Sequence, residues 1–292
     1  MPPGRGGTIP EVYQRRTRPR QRNRAGRDAA RAPAGGRSRP RRGRSAAPRL
    51  CVAAQTAYAA GMTSASLVWL FDVDGTLLLT QGAGRRAIAA ALLERYGVDD
   101  DLTHIPMAGR TDPLIVNDAL RHHGLDPDGE GDRAALWAAV VAHMRRLMAP
   151  PVGGLLPGVE RALDAVAAES GHVCALLTGN VRPMAEIKLG AFGIWERFAF
   201  GAFGDEAPDR DALAIVAARR AMERCGVPPH RCVVVGDTEH DIACARAAGA
   251  KAVAVATGGR TRAQLEPYAP DLLLDDLRDT NALVEWARAL PA

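Results

Sequence analysis

Short apolar runs alternate with longer segments of helical periodicity along most of the chain. The predicted strands span residues 67–71, 174–177, 198–203, 232–235, 252–255 and 272–274. The predicted helices span residues 83–96, 112–123, 132–148, 158–169, 181–190, 209–225, 240–248 and 280–289. Strands that alternate with helices predict an α/β fold, with a parallel sheet covered by helices on both faces.

The segment between the first two predicted strands is largely helical. Of its three predicted helices, the third carries Leu136, Val140 and Leu147 on one apolar stripe. The prolines Pro150 and Pro151, followed by two glycines, predict a boundary where this helical segment ends.

Two carboxylates follow the first predicted strand. Asp72 and Asp74 come directly after the apolar run 67–71 and precede a Gly-Thr turn. Alternate side chains of a strand point to the same side, so both acids can address one site at the carboxyl edge of the sheet. They repel each other unless a cation lies between them. The pattern predicts a hard divalent metal bound through oxygen.

Two further predicted strands end in polar groups. The run 174–177 is followed by Thr178, Gly179 and Asn180, and the run 232–235 is followed by Asp237 and then Asp241. We expect all three strand ends to deliver their polar groups to one edge of the sheet.

The motifs DVDGT, LLTGN and GDTEHD stand in the order typical of the haloacid dehalogenase superfamily, which this chain resembles from residue 64 to residue 280. The resemblance implies a doubly wound, Rossmann-like core formed by residues 62–82 and 152–292, with an inserted helical cap at 83–151. It also implies a Mg²⁺-dependent phosphatase that acts on a small phosphorylated metabolite.

The resemblance implies a role for each acid. Asp72 is expected to be the nucleophile that forms an aspartyl-phosphate. Asp74 is expected to protonate the leaving oxygen and then to activate water. The implied ligands of Mg²⁺ are Asp72, the backbone carbonyl of Asp74, Asp237, and Asp241, which either ligates the metal or orients the site.

The turns after the first two strands are expected to bind the phosphate. Gly75 and Thr76 follow the paired acids, and Thr178 offers a hydroxyl to a phosphoryl oxygen. Gly179 and Asn180 lie at a predicted helix start, where anions are favoured. Alternatively, Thr178 caps that helix.

The family usually neutralises the phosphate with a Lys. Two residues of this chain are candidates for that cation. Arg210 occupies the expected position and can bind phosphate bidentately. Lys188 is the rival, although it lies eight residues beyond Asn180, roughly 12 Å along a helix at 1.5 Å per residue. Lys188 could instead lie on a solvated helix face.

The predicted cap contains one polar loop before a helix, at residues 107–113. Its Arg110 could contact a second anionic group of the substrate, as expected for a small carboxylated phosphate ester of the phosphoglycolate type. Alternatively, Arg110 and Asp112 only cap the following helix, with Asp112 at the N-cap.

Two other reactions of the same superfamily are alternatives: phosphomutase and haloacid dehalogenase. The superfamily members that cleave carbon–phosphorus bonds need a cap Lys, and no Lys lies between residues 73 and 177. The mutases tend to carry one as well. Dehalogenases generally lack the second acid of the first motif, so Asp74 argues against them.

Charge is distributed unevenly. The chain has a net charge of +5, yet residues 1–50 hold fifteen Arg and only two acidic residues, which leaves the remainder acidic. Residues 1–61 are rich in Arg, Pro and Gly and are predicted to be disordered. Three interpretations stay open: a segment that binds nucleic acid or another polyanion, a targeting segment, or residues upstream of a true start at Met62.

The five cysteines form no C-x-x-C pair. We expect reduced core residues in a cytoplasmic protein, without a zinc site. No apolar run reaches the roughly 18 residues needed to span a bilayer, so no membrane partner is expected.

Overall fold

The computed structural model describes residues 66–128 and 132–291. The Arg-rich segment 1–61, Met62 and Cys51 lie outside the described residues, so the three interpretations of that segment stay open.

The core of the fold is a six-stranded sheet in which every pairing is parallel. Its strands, given in their spatial order, are β5 (Gly201–Phe203), β4 (Val173–Thr178), β1 (Val68–Phe71), β6 (Cys232–Gly236), β7 (Lys251–Val255) and β8 (Leu272–Leu274). The first strand of the chain is thus central, between β4 and β6, and the chain order reverses on either side of it. Such a reversal is where open α/β sheets bind ligands.

Both faces of the sheet are buried. Trp69 and Phe71 of β1 pack into the hydrophobic cluster on one face, and Val68 and Leu70 pack into the cluster on the other. The first cluster is covered by helices α4 (Val159–Ala168), α5 (Arg182–Ala191) and α9 (Thr280–Arg288), and the second by α6 (Arg210–Cys225) and α7 (Glu239–Ala247). The α/β fold predicted from the sequence is confirmed.

Three helices lie between β1 and β4: α1 (Ala83–Tyr96), α2 (Asp112–His122) and α3 (Arg133–Leu147). They share a third hydrophobic cluster, which Val181 and Met184 of the core also join. Two short antiparallel strands, β2 (Leu78–Leu79) and β3 (Gly154–Leu155), pair where the chain leaves the core and where it returns.

Most predicted helices begin and end within about two residues of the observed ones. The prediction for α1 matches its bounds, because its end is fixed by Gly97, which adopts the left-handed conformation that terminates helices. The predicted strand 198–203 is shorter in the structure, where β5 covers Gly201–Phe203. The pair β2 and β3 and the short helix α8 (Arg262–Leu265) were not predicted, since segments this short carry no periodicity.

Four cysteines are described, and all are buried free thiols: Cys174, Cys225, Cys232 and Cys244. Within the described residues, no helix is both long enough and apolar enough to cross a bilayer.

Neighbouring leucines of α1 provide a test of the cluster that α1, α2 and α3 share. Leu92 is 1% exposed and Leu93 is 49% exposed. We expect Leu92→Ala to lower the free energy of unfolding by about 2–5 kcal/mol, because it leaves a cavity. Leu93→Ala should change it by less than about 0.5 kcal/mol. Urea titration of the two variants measures both values, and equal losses would contradict the assigned packing.

Candidate active site

The carboxyl ends of the central strands enclose a cavity of about 430 Å³. Its lining includes Asp72 and Asp74 after β1, Gly179 and Asn180 after β4, and Asp237 after β6. The ladder continues past β1, since the Asp72 amide donates to the Val235 carbonyl at 2.9 Å. The three strand ends therefore meet at one edge of the sheet, as the sequence predicts.

Three buried carboxylates form a cluster at this edge. Oxygen atoms of Asp72, Asp237 and Asp241 all lie within 4.8 Å of one another. Burial raises the pKa of Asp72 to about 6, with further increases from Asp241 and Asp74 and an opposing effect from Arg210. Burial and then the charges of Asp241 and Asp72 raise the pKa of Asp237 to about 8. The cluster is thus costly to ionise as it stands.

Two residues of the DVDGT motif shape this cluster. Thr76 donates from its hydroxyl to Asp237 Oδ1 at 3.1 Å. Gly75 has φ +84° and lies so close to Asp237 that an added Cβ would be 2.5 Å from Oδ2. The cavity lining includes Gly75, whereas the buried Thr76 is not among the lining residues. Thr76 therefore lies behind the acids, although the sequence analysis places it against the substrate.

Asp241 is fully engaged by neighbours. Its Oδ2 accepts hydrogen bonds from the Thr238 amide at 3.0 Å and the Thr238 hydroxyl at 2.7 Å, which together cap α7. Its Oδ1 accepts from Arg210, which also lies 3.2 Å from Asp72 Oδ1. This arrangement favours the interpretation in which Asp241 orients the site.

The donor set fits a hard divalent cation. Asp72 and Asp237 present buried carboxylate oxygens from two adjacent strands, the ligand type that Mg²⁺ prefers. Arg210 offsets only part of the negative charge, because it serves both Asp72 and Asp241. A cation between Asp72 and Asp237 would remove the remaining repulsion.

Lys188 reaches the site, contrary to the expectation from its distance along α5. Its ammonium donates to Asp74 Oδ1 at 2.8 Å, to Asp74 Oδ2 at 2.6 Å and to Asn180 Oδ1 at 2.6 Å. The Lys188 side chain is 5% exposed, so it does not lie on a solvated helix face. Helical side chains lean toward the N-terminus of their helix, which is how Lys188 returns to this edge. Lys188 and Arg210 therefore both line the cavity.

The LLTGN turn is organised internally. Thr178 Oγ1 accepts hydrogen bonds from the Asn180 amide at 3.3 Å and from Asn180 Nδ2 at 2.7 Å. Asn180 Nδ2 also donates to Asp74 Oδ2 at 2.8 Å. Thr178 is fully buried and does not cap α5, whose N-cap is Val181. The alternative that Thr178 is a helix cap is wrong.

The loop before α2 lies directly on this turn. The Asp112 amide donates to the Gly179 carbonyl at 2.7 Å, and the Val181 amide donates to Asp112 Oδ2 at 2.9 Å. Gly179 has no room for a side chain, since an added Cβ would overlap the carbonyl of Arg110. Burial raises the pKa of Asp112 to about 6, while Lys188 opposes that increase.

Asp112 joins the helical insertion to the core, a role that the sequence analysis missed. The expectation that it is the N-cap of α2 is wrong, because Thr111 is the N-cap. No local pattern could reveal the contact, since Asp112 and Val181 are 69 residues apart.

Arg110 lines the cavity, but its guanidinium already has partners. It donates to Asp118 Oδ2 at 2.5 Å and to the Pro106 carbonyl at 3.1 Å. Arg110, the predicted contact for a second anion, is therefore already paired with a carboxylate of α2.

Family models match most of the described chain. A model described as haloacid dehalogenase-like hydrolase matches residues 69–246, and a second, described as HAD-hydrolase-like, matches residues 214–280. A phosphoglycolate phosphatase from Agrobacterium fabrum is 32% identical over 213 residues, which cover 71% of this chain and 87% of that protein.

Solved structures agree with the fold. CbbY from Rhodobacter sphaeroides, in complex with phosphate, is 26% identical with a TM-score of 0.59, covering 73% of this chain and 96% of that one. A predicted phosphoglycolate phosphatase from Haemophilus somnus superposes with a TM-score of 0.60 at 22% identity, covering 77% of this chain and all of the other.

The acid cluster predicts an unusual pH dependence of stability in metal-free protein. Asp237 has a raised pKa in the folded state, so its contribution is present below about 4 and is lost as the pH rises through about 8. Asp237→Asn removes that loss. We expect the variant to gain unfolding free energy over the wild type as the pH rises from 4 to 8 in the presence of a chelator.

Added Mg²⁺ should stabilise the wild type at pH 8 by about 2.7 kcal/mol at a hundred times its Kd. It should not stabilise Asp237→Asn in the same way. Thermal unfolding with chelator or Mg²⁺ measures both effects. A wild type that is indifferent to Mg²⁺ would contradict the assignment of this cluster as a cation site.

Proposed function

Because the chain belongs to the haloacid dehalogenase-like hydrolase family, we propose that this phosphatase uses Mg²⁺ and an aspartyl-phosphate on Asp72 to hydrolyse a small phosphate monoester. One observation supports this most strongly. Asp72 and Asp74 lie at the same sheet edge, one beside the buried acids and Arg210, the other beside Lys188.

We assign Asp72 as the nucleophile. It lines the cavity, and its Oδ1 lies 3.2 Å from Arg210 Nη2, which orients the carboxylate. Attack by a carboxylate oxygen of Asp72 on phosphorus forms the aspartyl-phosphate as the bond from phosphorus to the ester oxygen breaks. Arg210 orients Asp72 and Asp241, since it forms an ion pair with each of them.

We assign proton transfer to Asp74. Its side chain is 43% exposed and lines the cavity. In the first step it donates a proton to the leaving oxygen. In the second step it takes a proton from the water that attacks phosphorus, as the bond from phosphorus to the Asp72 oxygen breaks and inorganic phosphate is released. Asn180 and Lys188 fix the orientation of its carboxylate for both transfers.

Lys188 is the better candidate for the cation that neutralises the phosphate. All of its three N–H donors are used by Asp74 and Asn180 in the structure. An arriving phosphoryl oxygen can take one of them, which loosens the hold on Asp74 as the proton transfer begins. Arg210, by contrast, is already committed to the buried acids.

The metal would be held by Asp72 and Asp237, with the Asp74 carbonyl as an expected third ligand. When bound, Mg²⁺ supplies charge stabilisation to the phosphoryl oxygens and allows both acids to stay ionised. Gly75 and Thr76 keep Asp237 in position for that purpose.

Residues 83–151 act as a helical cap over a core formed by residues 62–82 and 152–292. The loop at 107–112 lines the cavity, and Asp112 joins it to the core by accepting a hydrogen bond from the Val181 amide. In this arrangement the cap shields the aspartyl-phosphate from bulk water until the ester's alcohol has left. Opening would break the hydrogen bond from the Asp112 amide to the Gly179 carbonyl and the one from the Val181 amide to the Asp112 carboxylate.

The comparisons favour a small metabolite, since the relative from Agrobacterium fabrum is named for phosphoglycolate. A cavity of about 430 Å³ has room for such an ester. Buried free thiols at the four described cysteines suit a reducing cytoplasm.

Asp72→Asn tests the reaction class. We expect Mg²⁺-dependent phosphate release from a panel of small esters by the wild type, and a loss of at least about a thousandfold in the variant. The fold should persist, because the amide has the same shape and avoids the cost of a buried charge. The exposed Asp99→Asn serves as a control and should keep full activity. Release of an isomerised sugar phosphate or of halide, without free phosphate, would indicate the mutase or dehalogenase alternative.

The two lysines of the chain provide a matched pair. Lys188→Gln should lower kcat/KM for every ester by a similar factor, about a hundredfold or more, because it removes charge from the phosphoryl site. Lys251→Gln, on β7 and paired with Asp271, should have no effect on activity. Steady-state kinetics with several esters measures this. If Lys188→Gln is active and Arg210→Gln loses phosphate binding, the two cations have been assigned in the wrong order.

A further inference from the structure

Four cations line the cavity, and three of them have carboxylate partners. Lys188 is paired with Asp74, Arg210 with Asp72 and Asp241, and Arg110 with Asp118. The fourth, Arg85, makes no hydrogen bond or ion pair to any described residue, and its Nε is buried. It is therefore the cavity-lining cation that has no hydrogen-bond or ion-pair partner in the described part of the chain.

The residues near Arg85 show that polar side chains on this part of the surface do not generally lack partners. Arg86, the next residue of α1, is exposed and donates to the Gln81 carbonyl at 2.5 Å. Asp101 is close enough to feel the charge of Arg85. Its carboxylate, however, is bonded to the Thr103 amide at 2.9 Å and to the Thr103 hydroxyl at 2.7 Å.

Arg85 lies on a different part of the cavity wall from the acids. It is in the first turn of α1, on the helical insertion, whereas Asp72, Asp74 and Asp237 lie at the edge of the sheet. A substrate whose phosphoryl group is at Asp72 presents its remote end to the insertion. We infer that Arg85 binds an anionic group, a carboxylate or a second phosphate, at that remote end. This inference rests on the proposed function.

The chemistry of Arg85 makes it selective. A guanidinium offers a planar fork of N–H donors that matches a carboxylate or phosphate with two parallel hydrogen bonds. A substrate that lacks the anion leaves the partly buried cation unpaired, which costs affinity. Arg85 therefore selects esters with a second charged group over neutral ones.

This inference replaces the sequence-based expectation for Arg110. The Arg110 guanidinium is held by Asp118 and by the Pro106 carbonyl, so its charge is already compensated. Arg110 stabilises the loop 107–112, which lines the cavity, and Arg85 binds the anion.

The test compares three esters of similar length: phosphoglycolate, 2-hydroxyethyl phosphate and ethylene glycol bisphosphate. We expect Arg85→Gln to lower kcat/KM for the preferred anionic ester by about 10- to 100-fold, as for loss of a charge-assisted hydrogen bond. Activity on 2-hydroxyethyl phosphate should stay within about threefold of the wild type, because that contact is absent there. The anionic ester for which the wild type has the higher kcat/KM identifies whether Arg85 binds a carboxylate or a phosphate.

Two further variants control for structural effects. Arg86→Gln should leave all three values unchanged, and Arg85→Lys should restore part of the preference because it keeps the charge. Equal losses on all three esters, or no loss on any, would overturn the assignment.

A binding measurement separates this inference from the proposed reaction. Calorimetry compares 3-phosphonopropionate with 3-hydroxypropylphosphonate, which cannot be hydrolysed. The wild type could release no phosphate from any ester while Arg85→Gln weakens binding of the carboxylated ligand only. In that case the proposed reaction is wrong and the assignment of Arg85 as an anion-binding residue is confirmed. If the wild type shows no preference for the carboxylated ligand, Arg85 is not an anion receptor.

Discussion

Mutual repulsion between buried carboxylates at one sheet edge is the constraint on which the rest of the site depends. Asp72 and Asp237 come close because the parallel strands β1 and β6 end side by side, and Asp241 joins them from the first turn of α7. Burial, and then the charges of the neighbouring acids, raise the pKa of Asp72 and Asp237. Arg210 relieves part of that cost, and a divalent cation would relieve the rest. The arrangement that makes these carboxylates costly to ionise thus also fits them to the divalent cation of the proposed function.

The helical insertion contributes part of the lining of the same cavity. Its cluster of apolar residues is separate from the two sheet clusters, yet it includes Val181, the N-cap of α5, and Met184 of α5. The same short stretch of chain thus carries the LLTGN turn, the contact with Asp112, and apolar contacts with the insertion. The packing of the insertion is therefore linked to the geometry of the LLTGN turn, and Arg85 adds a charge from α1 to the cavity lining.

Much of the fold was predictable because its signals are local. The strand ends at Asp72, Thr178 and Asp237 follow apolar runs, and α1 ends at a glycine suited to the left-handed conformation. Side-chain contacts between distant segments were not predictable. The Lys188 ammonium reaches Asp74, and Arg110 in the loop before α2 pairs with Asp118 eight residues later, and neither contact has a periodic signature. Asp112 was noticed as a helix start, but its contact with Val181 requires the insertion to be folded onto the core.

The central claim is that the Asp72 carboxylate is phosphorylated during turnover, and trapping that species tests it most directly. Enzyme mixed with a radiolabelled ester and Mg²⁺ is quenched in acid within milliseconds, and its peptides are mapped by mass spectrometry. We expect an acid-stable, hydroxylamine-labile phosphoryl group on the peptide that contains Asp72, formed and lost at the rate of turnover. Label on no peptide during steady phosphate release, or on a peptide without Asp72, would contradict it.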